Sequence, residues 1–315
     1  MELMGRLLAW GIGFLALLSL VLVCWWALVL LSAPYRRRRE ALVRNKFLHS
    51  VLWVYFSGDE EAAGADFFVR RGRRVVAECI ADLADSTVGL DPEPIRRIVR
   101  ELGLEEFLWR RVRWSRSYRR AYYLQLLSKI PVGVRSYREA ARYLHDRNRH
   151  VRFCAMSVRL AFEAEEQRFS ALEDYSDNIS YFELAELVMR LRHRGLPVDY
   201  QALFASPNRN LQKLAMGVVW HYGLTDAEDE LVKILSKENP EESAGVLYIL
   251  CALRCSVARE EVARFISEMK PDWRKALLRY MARQGYSVHA LRVFIPDDER
   301  DYYVSLVDSY KLNVG

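Results

Sequence analysis

Proline and glycine are scarce in this chain, nine and fifteen among 315 residues. Several, among them Pro92, Pro131, Pro207, Gly223, Pro240, Pro271 and Gly285, fall between stretches of helical periodicity, where they start or stop helices. Alternating β-rich runs bounded by hairpin dipeptides are lacking, so nothing argues for a sheet. The five cysteines follow no disulfide-framework spacing, which agrees with a reducing compartment. Cys251 and Cys255 stand four apart on an expected helix, but no nearby His or Cys pair completes a metal site. G-x-S-x-G, H-E-x-x-H, P-loop and Cys-x-x-Cys motifs are all lacking. The six histidines are scattered, and His145-Asp146 are helix neighbours that do not face each other. The expectation is therefore a protein that is not an enzyme and uses no cofactor or metal.

Charge is also lacking from Leu7 to Ala33, 27 positions of Leu, Val, Ile, Phe, Trp, Gly and Ala with two serines and Cys24. As a helix this run reaches about 40 Å, enough to cross a hydrocarbon core of about 30 Å with tilt. Trp10, Trp25, Trp26 and Tyr35 lie toward its ends, where amphipathic rings settle. A cleaved signal peptide fits poorly: the apolar core is too long, Arg6 is offset by Glu2, and Pro34 follows Ser32-Ala33. The Gly11-Ile-Gly13-Phe-Leu-Ala16 match to a dinucleotide fingerprint has no preceding strand and is read as accidental. The flank Arg36, Arg37, Arg38 and Arg39 places the C-terminal side in the cytoplasm. The expected layout is residues 1–6 outside, a transmembrane helix at 7–33, a basic juxtamembrane segment at 34–58 and a cytoplasmic helical domain at 59–315.

Within that domain the chain repeats itself. NRHVRFCAMSV begins at Asn148 and NRNLQKLAMGV at Asn208; midway, SYFELAELV places Ala185 between Ala155 and Ala215. The period is 30 residues, and it continues at 31 through Gly223, Arg254 and Gly285, each expected to close a helix. Shorter first helices are expected at 226–237 and 258–269, with apolar residues recurring at three and four. Ala155, Ala185 and Ala215 are expected where helices approach closely. Helix pairs of this period, with a second helix opening Val151-Arg152 and Ala155, resemble HEAT or HEAT-like repeats over roughly 136–295 and more weakly over 66–135. Gln212 and Phe182 depart from the pattern where Arg is preferred. The resemblance implies an all-α, HEAT-like solenoid of stacked helix pairs, because one pair cannot bury its own apolar face. It also implies a layout similar to accessory subunits of bacterial membrane glycosyltransferase or export systems.

The net charge of +6 is unevenly spread. Residues 66–160 carry 21 Lys and Arg against 11 Asp and Glu, and residues 161–315 carry 19 against 25. The densest basic stretch holds Arg110, Arg111, Arg113, Arg116, Arg119 and Arg120, interleaved with Trp109 and Trp114 and with Tyr118, Tyr122 and Tyr123. It is read as a candidate binding surface with three uses: a solvated face over an aromatic core, a footing on anionic inner-leaflet lipid or an acidic partner, or a nucleic-acid site. Past Lys46 the chain carries 40 basic against 39 acidic residues, which disfavours nucleic acid. The functional expectation is a single-span, membrane-anchored scaffold or adaptor that binds a membrane-associated protein partner. The alternative is an enzyme acting on a nucleobase or lipid headgroup in the solenoid concavity. Converging acidic and aromatic groups in a pocket would favour that alternative.

Overall fold

The computed structural model describes residues 2–57, 72–86, 92–130, 133–162, 169–192, 199–235, 240–254, 260–286 and 299–312. Among them every regular element is a helix and there is no strand. The chain forms two compact units, Met1–Phe162 and Glu163–Gly315.

The first unit is built from α1 (Glu2–Ser57), α2 (Arg73–Ser86), α3 (Pro92–Glu101), α4 (Leu104–Trp114), α5 (Ser117–Lys129), α6 (Val134–Ala141) and α7 (Arg149–Phe162). At about 1.5 Å per residue, α1 runs on the order of 84 Å. It is long and apolar enough to cross a membrane, and its side chains from Leu17 to Leu28 are exposed. Pro34 lies inside it without ending it, so the expected juxtamembrane segment continues the same helix as far as Ser57. Further along, Val43 and Phe47 are buried where α1 meets α2. Two polar pairs fix the direction of that contact: Arg74 on α2 reaches Glu40, and Arg44 reaches Asp82 at 2.6 Å. Both partners advance together, so α1 and α2 run parallel. The α2–α5 contact is parallel for the same reason, since Tyr122 donates to Glu78 and Lys129 pairs with Asp85. The core of the unit follows from spacing of three and four: Val76 and Ile80 on α2, Leu104, Leu108 and Val112 on α4, Leu124 and Leu127 on α5.

The second unit contains α8 (Ser170–Glu173), α9 (Tyr181–Arg192), α10 (Tyr200–Ala205), α11 (Arg209–Tyr222), a 3₁₀ turn at Thr225–Ala227, α12 (Glu228–Leu235), α13 (Pro240–Ala252), α14 (Glu260–Glu268), α15 (Pro271–Arg283) and α16 (Arg300–Leu312). α9, α11, α13 and α15 touch in succession as one row. α10 packs on α11, α12 on both α13 and α14, and α16 on α15. Of the first helices expected at 226–237 and 258–269, the 3₁₀ turn with α12 covers the first as far as Leu235 and α14 covers 260–268 of the second; residues 236–237 and 258–259 lie outside the described residues. α16 buries Tyr303 and Val307.

The repeated asparagines have a local physical role. Asn208 Oδ1 accepts from the amides of Asn210 and Leu211 and so caps α11, and Asn148 Oδ1 accepts from His150 N at the start of α7. In the middle repeat the cap moves two residues on. Ser180 Oγ accepts from Glu183 N while the Glu183 carboxylate accepts from Ser180 N, a reciprocal capping box. Gln212, a departure by letter, does the same work as Arg152. Arg152 donates to the Asp146 carbonyl at 2.8 Å, and Gln212 to the Ser206 carbonyl at 2.8 Å, each six residues back. The expected closures also hold: Gly223, Arg254 and Gly285 all take the left-handed conformation, with φ of 65°, 56° and 85°.

Candidate functional site

Of the basic stretch, the structure brings only part to the surface. Arg110, Arg111, Arg113, Arg116 and Arg119 are exposed, as are Trp114 at 86% and Tyr118 at 77%. Trp109 is not a surface residue. It is 2% exposed, its Nε1 donates to Ser136 Oγ at 2.8 Å, and that hydroxyl donates to Glu105 at 2.7 Å. A helical wheel carries the reason, since Leu108, Trp109 and Val112 form one buried face of α4. Arg120 is half-buried and bridges helices: it pairs with Asp146 at 2.6 Å, donates to the Val112 carbonyl and lies over the Tyr143 ring. Arg111 covers Phe107 and Arg113 leans toward the Trp109 carbonyl. On α1, Arg37, Arg38 and Arg39 are exposed; the side chain of Arg36 lies outside those described.

The second unit holds a cavity of about 770 Å³. It is lined by the row α9, α11, α13 and α15, within the size range of sites that bury small ligands or partner side chains. Its walls are Leu184, Val188, Ala244 and Ile249, and its aromatic members are Tyr181, Trp220, Tyr248, Trp273 and Tyr280. Tyr248 and Tyr280 meet edge to face at 5.0 Å. Burial, with the Cys251 thiol as a lesser contributor, pushes both phenols above their ordinary range. Two glycines set the depth. A Cβ on Gly217 would stand 2.8 Å from Val188 Cγ2 and 3.0 Å from Leu184 Cδ1, so its absence lets α11 approach α9. A Cβ on Gly245 would stand 1.9 Å from the Tyr181 hydroxyl, which lies across α13.

Ala185 corrects the expected register. Ala155 and Ala215 are fully buried, but Ala185 is exposed and lines the cavity. The buried stripe of α9 is Leu184, Leu187, Val188 and Leu191, and Ala185 lies beside it. The cavity itself was not read from sequence. The available signal was an aromatic on each of three successive second helices, at 220, 248 and 280.

Chemically, the lining contains no Asp, Glu, Lys or Arg among the described residues. The ring of His221, a lining residue, packs edge-on against Tyr222 at 5.0 Å. Among the described residues no group of three His, Cys, Asp or Glu side chains could hold a metal ion. The arrangement suits binding of apolar and aromatic groups with a few neutral hydrogen bonds at the rim. No protein-family model, no curated protein and no solved structure matches the chain.

Proposed function

We propose that this protein is a single-span, membrane-anchored scaffold. In this reading its cytoplasmic body is a HEAT-like helical solenoid, and the cavity of the second unit receives apolar side chains from a membrane-associated protein partner. The observation that carries the reading is α1. The helix that carries its exposed apolar run continues without a break to Val43 and Phe47, which are buried against α2. An apolar surface of that length is costly in water and stable in lipid, and the unbroken helix ties the span rigidly to the first unit. The Lys and Arg excess past the span supports a cytoplasmic body.

The repeat reading is supported by the succession α9, α11, α13 and α15, by the equivalent roles of Asn148 with Asn208 and Arg152 with Gln212, and by the three left-handed closures. A solenoid acts by presenting an extended surface, and an anchor raises the effective concentration of that surface at the bilayer. The apolar and aromatic character of the lining among the described residues supports binding over acid–base chemistry on a nucleobase or headgroup.

The test is photocrosslinking of the full chain in its membranes, with p-benzoylphenylalanine in place of Met189, an exposed cavity residue. A discrete protein adduct is expected. It should disappear when Ala185→Trp fills the cavity, while the protein still folds. An adduct that persists in the Ala185→Trp protein would contradict occupancy of the cavity.

A further inference from the structure

We infer that the turn between α4 and α5 is a second membrane contact, in which Trp114 and Tyr118, flanked by Arg113, Arg116 and Arg119, rest on the anionic headgroups of the bilayer that α1 spans. The inference rests on the membrane reading above and adds a place and an orientation to it.

Axial level places the turn there. α1, α2 and α5 run parallel, and their side-chain pairs act as rungs. Arg74 on α2 meets Glu40 on α1. One turn further along α2, Glu78 meets Tyr122 on α5. Tyr118 lies one turn back along α5, about 6 Å, and so returns to the level of Glu40. Arg116 and Trp114 lie further in the same direction, toward Arg37, Arg38 and Arg39. Those arginines mark the end of the apolar run, where the headgroups of a spanned bilayer would lie. α7 adds to the same end: the His150 ring stands 6.3 Å from Tyr118, which brings the exposed Arg147 and Arg149 beside it.

The chemistry at this end fits an anionic interface. Glu40 and Asp146, the acids adjacent in sequence to these arginines, are each bridged, to Arg74 and Arg120. Trp114 has no packing role at 86% exposure, and Tyr118 has little at 77%. Indole and phenol rings partition to the headgroup zone, and arginines near an anionic surface are attracted to it. The level shared with the α1 flank favours the bilayer over a nucleic acid or an acidic protein.

The experiment uses the full chain reconstituted in vesicles of phosphatidylcholine doped with phosphatidylglycerol. One p-benzoylphenylalanine replaces Trp114, Ser86 or Leu31 in three separate proteins. Leu31 reports the span, and Ser86, at the far end of α2, reports water. Lipid adducts are expected at 31 and at 114 and none at 86. The Arg113→Gln, Arg116→Gln, Arg119→Gln protein should lose about tenfold of the adduct at 114 and none at 31. Adducts at 31 without adducts at 114 overturn this inference alone. No adduct at 31 overturns the membrane reading. An adduct at 114 that is equal in pure phosphatidylcholine, or that forms only with an added acidic protein or nucleic acid, overturns the anionic-bilayer assignment.

Discussion

Asn210 is a buried amide that staples the loop before α9. Its Oδ1 accepts from Ile179 N at 3.0 Å, and its Nδ2 donates to the carbonyls of Asp177 at 2.9 Å and Tyr175 at 3.3 Å. Asn210→Ala leaves these groups without the amide. Each buried polar group left unsatisfied costs about 1–3 kcal/mol, so denaturant unfolding should show a loss of at least about 2 kcal/mol. Arg254 offers the opposite sign. It holds a left-handed φ of 56° that a side chain disfavours by about 1–2 kcal/mol. Arg254→Gly should therefore raise stability by about 0.5–1 kcal/mol after the extra freedom of glycine in the unfolded chain is counted. At this scale the sequence was half legible. Asn148 and Asn208 were visible as repeated letters, but their work as helix caps needs the geometry. Gln212 looked like a departure because the change of letter hid a shared role, in which amide and guanidinium both reach a carbonyl six residues back. Trp109 was misplaced on the surface because its arginine neighbours dominated the composition, while its Leu108 and Val112 neighbours determined its environment.

The contact of α9 with α11 and α13 separates two kinds of glycine. At Gly217 an added methyl group stands 2.8 Å from Val188 Cγ2 and 3.0 Å from Leu184 Cδ1, both on buried side chains that would have to shift. Gly217→Ala should overpack by about 1–3 kcal/mol, less about 0.8–1 kcal/mol of helix propensity, for a net loss of about 1 kcal/mol. At Gly245 the added methyl group meets the far end of Tyr181, a side chain that is 48% exposed and has room to swing outward. Gly245→Ala should leave the melting temperature nearly unchanged while moving Tyr181. Ala185→Leu should likewise leave it unchanged, because the new side chain enters open space. Thermal melting of the three proteins side by side checks the set; a loss at Ala185 equal to that at Gly217 would contradict the cavity. Helix existence was legible here because apolar spacing and punctuation specify it. Helix rotation was not, since alanine tolerates burial and exposure alike and its recurrence at 30 residues does not fix which face it occupies.

Over the whole molecule, the feature most legible in sequence is α1, because a charge-free run of 27 residues has few stable environments. Its unbroken passage through Pro34 was less legible, since proline ordinarily argues for a boundary. The division into two compact units was also hidden. The same helical periodicity continues on both sides of residue 162, and the acidic run Glu163, Glu165 and Glu166, which lies outside the described residues, carries no boundary signal such as proline or glycine. In the proposed reading the anchor and its orientation govern which partners the body can meet, so everything proposed for the body stands or falls on topology. A paired reporter fused after Gly315, one half active only in the cytoplasm and the other only outside it, measures this directly in intact cells. A cytoplasmic body predicts activity from the cytoplasmic half alone, with the protein retained in the membrane fraction after alkaline extraction. Activity from the external half, or release of the chain into the soluble fraction, would contradict it.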